Sequence, residues 1–78
     1  MKDLGKTIAK HRKDHKLKQS QLAIELEKYD IYVKPNTVSA WESGLSQPNS
    51  RQLLAICELL NIHNIYTEFI GKNSDNPQ

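Results

Sequence analysis

One cysteine, three glycines and three prolines are few for a chain of 78 residues, and each scarcity excludes something. Cys57 has no second thiol to pair with, so no internal disulfide staples the fold, which fits a reducing cytoplasm. The low Gly and Pro content excludes collagen-like and low-complexity classes. No apolar run approaches the ~18 residues that a membrane span needs. The first ten residues, MKDLGKTIAK, hold no apolar signal core. There is no Gly-rich phosphate loop, and the carboxylates are scattered without the pairing that acid–base catalysis uses. The expectation is a non-enzymatic protein without cofactor or metal, in the cytoplasm.

What is present is globular in kind: 37 % hydrophobic and 26 % charged residues. The length permits one domain, which buries about 60–65 % of its unfolded surface. Net charge is +2, unevenly placed. Residues 1–18 carry seven basic and two acidic groups, and residues 19–78 carry four basic and seven acidic groups. A basic end on a weakly acidic body attracts a polyanion, although most Lys-rich helices are simply solvated.

Strand alternation is nearly absent, limited to Ile31-Tyr32-Val33. Helical spacing dominates. Leu4, Ile8, His11 and Arg12 share a face from Lys2 to about His15. Leu22, Ala23 and Leu26 point inward on a second helix, residues 19 to about 28. Pro35 suits the first turn of a third helix and Gly44 its end. Asn49 is a good N-cap for SRQLLAICELL. There Leu53, Ile56, Cys57 and Leu60 form the predicted buried stripe, with Leu54 and Leu59 at its margins and Asn61 as the stop. A fifth short helix is predicted within 62–70. These elements predict a compact all-α, five-helix domain over residues 1–70, followed by a polar tail or linker start, 71–78.

The third helix, residues 35–43, is unusual. At ~100° per residue, Val38, Trp41 and Glu42 fall on one side, with Asn36, Ser39, Ala40 and Ser43 on the other. Short amide, hydroxyl and methyl groups let a partner approach the backbone closely. Asn can bond adenine twice in the major groove, and an Ala methyl can touch the thymine methyl. The alternative is a helix packed against another protein surface.

LGKTIAKHRKDHKLKQSQLAIEL and NTVSAWESGLSQPNSRQLLAICELLNI together resemble the phage-repressor class of helix-turn-helix DNA-binding domains, the Cro/CI type, also called XRE. The resemblance spans roughly residues 4–70. It rests on Ile8, Arg12, Leu17, Gln19, Leu22, Ala23, Leu26, Val38, Ser39, Trp41, Glu42, Gly44, Pro48, Leu53 and Leu54 taken together. It implies that residues 19–28 and 35–43 are the two motif helices, the latter the recognition helix in the major groove. It implies a transcriptional regulator, a repressor, bound as a homodimer to an inverted repeat of double-stranded DNA. By the same resemblance Asn36 and Ala40 touch base edges, with Thr37 and Ser39 beside them. Gln19 clamps a phosphate, joined by Lys18, Lys34, Ser43, Ser46, Gln47 and Asn49. Arg12 and Glu42 form a structural pair that leaves an Arg edge towards phosphate. Leu45, Ile65, Tyr66, Phe69 and Ile70 are candidate dimer contacts. The longer motif turn is similar to that of LexA/CI-type repressors, which carry a C-terminal regulatory domain after a linker. An antitoxin-like protein-interaction module is the alternative.

The departures are specific. EKYDIYVKP is about five residues longer than the usual motif turn. Pro35 cannot hydrogen-bond a base, which throws readout onto Asn36. Lys18 stands where a Ser or Thr cap is customary. Ile24 is apolar where the family is polar and is expected under the longer turn. His11 and His15, four apart, are expected in the core and in solvent respectively rather than on a metal. Cys57 and Trp41 are expected in the core.

Overall fold

The structure, a computed structural model, describes residues 3–63. It contains four α-helices: α1 (Leu4–Asp14), α2 (Gln19–Leu26), α3 (Pro35–Ser43) and α4 (Ser50–Leu59). A single 3₁₀ turn, Glu27–Tyr29, extends α2. The predicted fifth helix falls almost entirely outside the described residues, as do Ile65, Tyr66, Phe69 and Ile70 and the tail 71–78. Among the described residues there is no strand, and Ile31-Tyr32-Val33 belongs to no regular element. No described helix is long and apolar enough to cross a membrane.

The helices stop by one device. Where a chain leaves a helix, one residue in the left-handed region lets its own N–H and the next one cap the last carbonyls. Only α3 uses glycine for this, Gly44 at φ 88°. Lys16, Asp30 and Asn61 take the same role at φ near 60° after α1, the 3₁₀ turn and α4. The reach-back bonds are Leu17 N–H to the Arg12 carbonyl, Ile31 N–H to Leu26, Leu45 N–H to Ala40 and Ile62 N–H to Cys57. In three of the four, the residue after the left-handed one turns back into or against the core: Leu17, Ile31 and Ile62. Leu45 is the exception, 83 % exposed. Two helix starts carry caps. Asn49 Oδ1 accepts from Gln52 N–H at 2.8 Å, and Gln52 Oε1 accepts from Asn49 N–H at 2.8 Å. At α2, Lys18 has no side-chain acceptor, but Gln21 Oε1 still accepts from its N–H at 2.7 Å. Half of the capping box survives the loss of the customary hydroxyl.

Ile8, Leu22, Leu26, Val38, Ile56 and Leu60 are the most deeply buried side chains, and Trp41 joins them. Each contributes about 1.5–3 kcal/mol over its exposed state. α4 is rotated slightly from the predicted face. Ala55 is buried and Leu53 is only partly so, while Leu54 is 61 % exposed. Ile24 is corrected too. It is 60 % exposed on α2 rather than covered by the longer turn, and the turn buries Ile31 instead. The turn is pinned from the other side, where Arg51 Nη2 donates to the Tyr29 carbonyl at 2.9 Å.

His15 is exposed, as expected, and also bridges two helices. Its Nε2–H donates to the Leu60 carbonyl at 2.8 Å and ties the end of α1 to the end of α4. His11 is half-buried at the edge of the core.

Candidate nucleic-acid interface

α3 begins with Lys34 extended at φ −96°, ψ 161° and Pro35 inside the first turn, where no N–H is missed. Val38 and Trp41 bury the inner face. Asn36 and Ser39 are exposed and Thr37 and Ala40 half-buried, so all four border the outer face.

The inner edge of α3 is held by a buried ionic network. Arg12 Nε donates to Glu42 Oε2 at 2.6 Å and Arg12 Nη2 to Glu42 Oε1 at 3.0 Å. Arg12 Nη1 donates to the Leu17 carbonyl at 2.7 Å. Gln19 Nε2 adds a bond to Glu42 Oε1 at 2.9 Å. The two charged side chains are 10 % and 9 % exposed. One carboxylate thus joins α1, α2 and α3. Burial pushes the Glu42 carboxyl up. The hydrogen bonds from Arg12 and Gln19, with the positive charges of Arg12 and Lys13, pull it down further, to below its ordinary 4.5.

Arg12 is therefore structural. It is 8 % exposed, and each of its three nitrogens donates one bond within the domain. Gln19 differs. Its amide is oriented by Glu42 and half-buried, which leaves one N–H to donate outward. Lys18 and Lys34 are exposed at the starts of α2 and α3. Ser46 and Gln47 are exposed in the loop after α3. Ser43 Oγ donates to the Ala40 carbonyl at 3.2 Å and must turn away from it to reach a phosphate. Asn49 commits Oδ1 to its cap and keeps Nδ2 to donate. Cys57 is buried, and burial pushes its thiol above 9.0, away from the reactive thiolate.

Two residues were missed in the sequence. Gly5 lies in α1 against the carbonyls of Trp41 and Glu42, where a Cβ does not fit. A lone glycine inside a helical pattern is the signal that points to such close packing. Lys13 is the other, near enough to Glu42 to act on its ionisation. Its sequence position alone gives no such sign.

A family model described as helix-turn-helix matches residues 8–63. No curated protein and no solved structure gives a significant match. The matched region runs from α1 to the end of α4 and contains both motif helices and the network that joins them. The chain belongs to the Cro/CI (XRE) class of helix-turn-helix DNA-binding domains, a family of DNA-binding transcription regulators.

Proposed function

We propose that this domain binds double-stranded DNA sequence-specifically as a homodimer and acts as a repressor on an inverted repeat. The observation that carries this is the two-sidedness of α3. One edge is fixed through the Arg12–Glu42–Gln19 network, and the other offers Asn36, Ser39 and Ala40 outward. Asn36 reads a base edge, with Thr37, Ser39 and Ala40 shaping the contact. Lys18, Gln19, Lys34, Ser43, Ser46, Gln47 and Asn49 set the register on the sugar–phosphate backbone. Leu45, exposed beyond the end of α3, together with Ile65, Tyr66, Phe69 and Ile70, supplies the two-fold contact. Residues 71–78 start a linker towards a regulatory domain, and the protein works in the cytoplasm on the nucleoid.

Selection of bound duplexes from a random library at near-physiological salt tests this. Enrichment of an inverted repeat with half-sites about one helical turn apart is the expected result. Enrichment of no sequence removes the reading role, and the antitoxin-like protein contact takes its place. On the selected duplex, Asn36→Ala is expected to weaken binding by about 1–3 kcal/mol and to leave random-duplex binding unchanged. Lys34→Ala is expected to weaken both and to flatten the salt dependence by about one unit. Equal losses for Asn36→Ala on both duplexes would show that it does not read bases.

A further inference from the structure

The seven basic residues within positions 1–18 are more than the helix-turn-helix motif employs. Arg12 is buried in its ion pair, and Lys6 pairs with Asp3 at 3.7 Å. Lys10 and Lys13 are exposed and have no carboxylate partner among the described residues. Their position on α1 is fixed by its packing. Gly5 lies against the backbone of Trp41 and Glu42, and Arg12 reaches Glu42, so this edge of α1 faces the end of α3. Going round the helix at ~100° per residue, half-buried Ala9 comes next, then Lys13, Lys6 and Lys10 within an arc of about 60°. Lys13 and Lys10, three apart, are surface neighbours. Lys13 lies near enough to Glu42 that its charge helps lower that carboxyl. The same carboxylate orients Gln19, whose outward N–H belongs to the proposed phosphate clamp. The cationic arc therefore begins beside the clamp. It continues towards exposed Lys16 and Lys18 at the junction of α1 and α2.

The end of α2 and its turn contrast with this. Glu25, Glu27 and Asp30 cluster there, and the lysine among them, Lys28, is paired with Glu25 at 2.7 Å. The surface is polarised, with unpaired cations beside the clamp and carboxylates near the turn.

We propose that Lys10 and Lys13 form a second phosphate-binding strip, which carries the DNA contact from the motif onto the outer face of α1. This rests on the proposed DNA-binding function. The strip recognises the sugar–phosphate backbone alone, because flexible ammonium groups at this distance from the reading face of α3 carry no base information. It lengthens the contact along one strand and adds affinity without changing sequence preference.

The test is the salt dependence of duplex binding by the full 78-residue chain, on a random-sequence duplex and on the selected one. The variants are Lys10→Gln/Lys13→Gln, Lys34→Ala and, as a control of equal charge type, Lys28→Gln. Glutamine keeps the helix propensity of lysine, so helical content is expected to stay unchanged by circular dichroism. The double variant is expected to flatten the slope of log K against log salt by about two units on both duplexes. Their affinity ratio should stay the same, and Lys28→Gln should leave the slope alone. A wild-type slope in the double variant, with a flattened one in Lys34→Ala, would overturn the strip and keep the motif's contacts. A change no larger than that of Lys28→Gln would reduce the effect to net charge and also overturn the strip. Absence of duplex binding by the unmodified chain would instead bring down the DNA-binding reading, and the strip with it.

Discussion

Arg12→Ala is expected to cost about 3–5 kcal/mol of folding stability, the effect of leaving one member of a buried ion pair without the other. The residue supplies a bidentate fork to Glu42 and a third bond to the Leu17 carbonyl. Truncation leaves the Glu42 carboxylate, 9 % exposed, with Gln19 as its remaining polar contact. A domain of this length has a small total stability, at the lower end of the ordinary 5–15 kcal/mol. Much of the chain would then be unfolded at room temperature, visible as lost helical ellipticity or a collapsed urea midpoint. Arg12→Lys should recover little, because an ammonium cannot form the planar fork. Replacing both partners with apolar residues, Arg12→Met with Glu42→Leu, should cost far less than Arg12→Ala alone, because no charge is then stranded. A loss below about 1 kcal/mol for Arg12→Ala would place the pair in the weak class of solvated salt bridges.

The same network has an acid signature. The folded Glu42 carboxyl titrates below its ordinary 4.5, and the unfolded one near it. The ionised group therefore stabilises the fold fully above about pH 5. That contribution fades as pH falls through the unfolded value and is gone below the folded one. Glu42→Gln removes this titration, so its stability should vary less than that of the unmodified chain across the same acid range. Parallel acid profiles would assign the acid sensitivity to other carboxylates.

The sequence predicted α3 to the residue because both its ends are marked by chemistry: Pro35 opens it and Gly44 closes it. The other stops were harder to read. Lys16 and Asp30 hold the left-handed conformation that glycine would announce; lysine gives no sign of it, and aspartate only a weak one. Leu22, Ala23, Leu26, Val38 and Trp41 were legible as core from spacing alone. Ile31 was not, because an isolated apolar residue in a long turn has no period to reveal it. On α4, apolar residues at 53, 54, 56, 57, 59 and 60 cover too wide an arc to show which edge is inside, and Ala55 was overlooked for its size. The Arg12–Glu42 pair was implied by the family resemblance. The third Arg12 bond was not, since it goes to a backbone carbonyl that only the fold brings near. The same limit applies to His15 and Leu60, 45 positions apart.

Gly5→Ala separates local propensity from packing with a clear sign. Alanine within a helix is favoured over glycine by about 1 kcal/mol. On that ground alone the variant would be more stable. The added Cβ, however, would lie 2.5 Å from the Glu42 carbonyl oxygen and closer still to that of Trp41. Both obstacles are backbone atoms of α3, so no rotamer change makes room. Contact at a normal ~3.5 Å requires the helices to part by on the order of 1 Å. That shift loosens Ile8 in the core and stretches the Arg12–Glu42 fork two turns further along α1. Overpacking of this kind costs about 1–3 kcal/mol before the fork is weakened, so the net expectation is a loss of about 2 kcal/mol. Gly44→Ala is the useful contrast. Nothing lies within 4 Å of a Cβ there, and its cost comes only from the left-handed backbone, φ 88°. It should lose about 1–2 kcal/mol and leave α3 seated on α1. The two variants should therefore part company in binding. Gly5→Ala moves the recognition helix relative to the clamp at Gln19, so it should lose more affinity on the selected duplex than on a random one. Gly44→Ala should keep their ratio. If Gly5→Ala instead gained stability and kept that ratio, the close approach of α1 to the end of α3 would not be what seats the recognition helix.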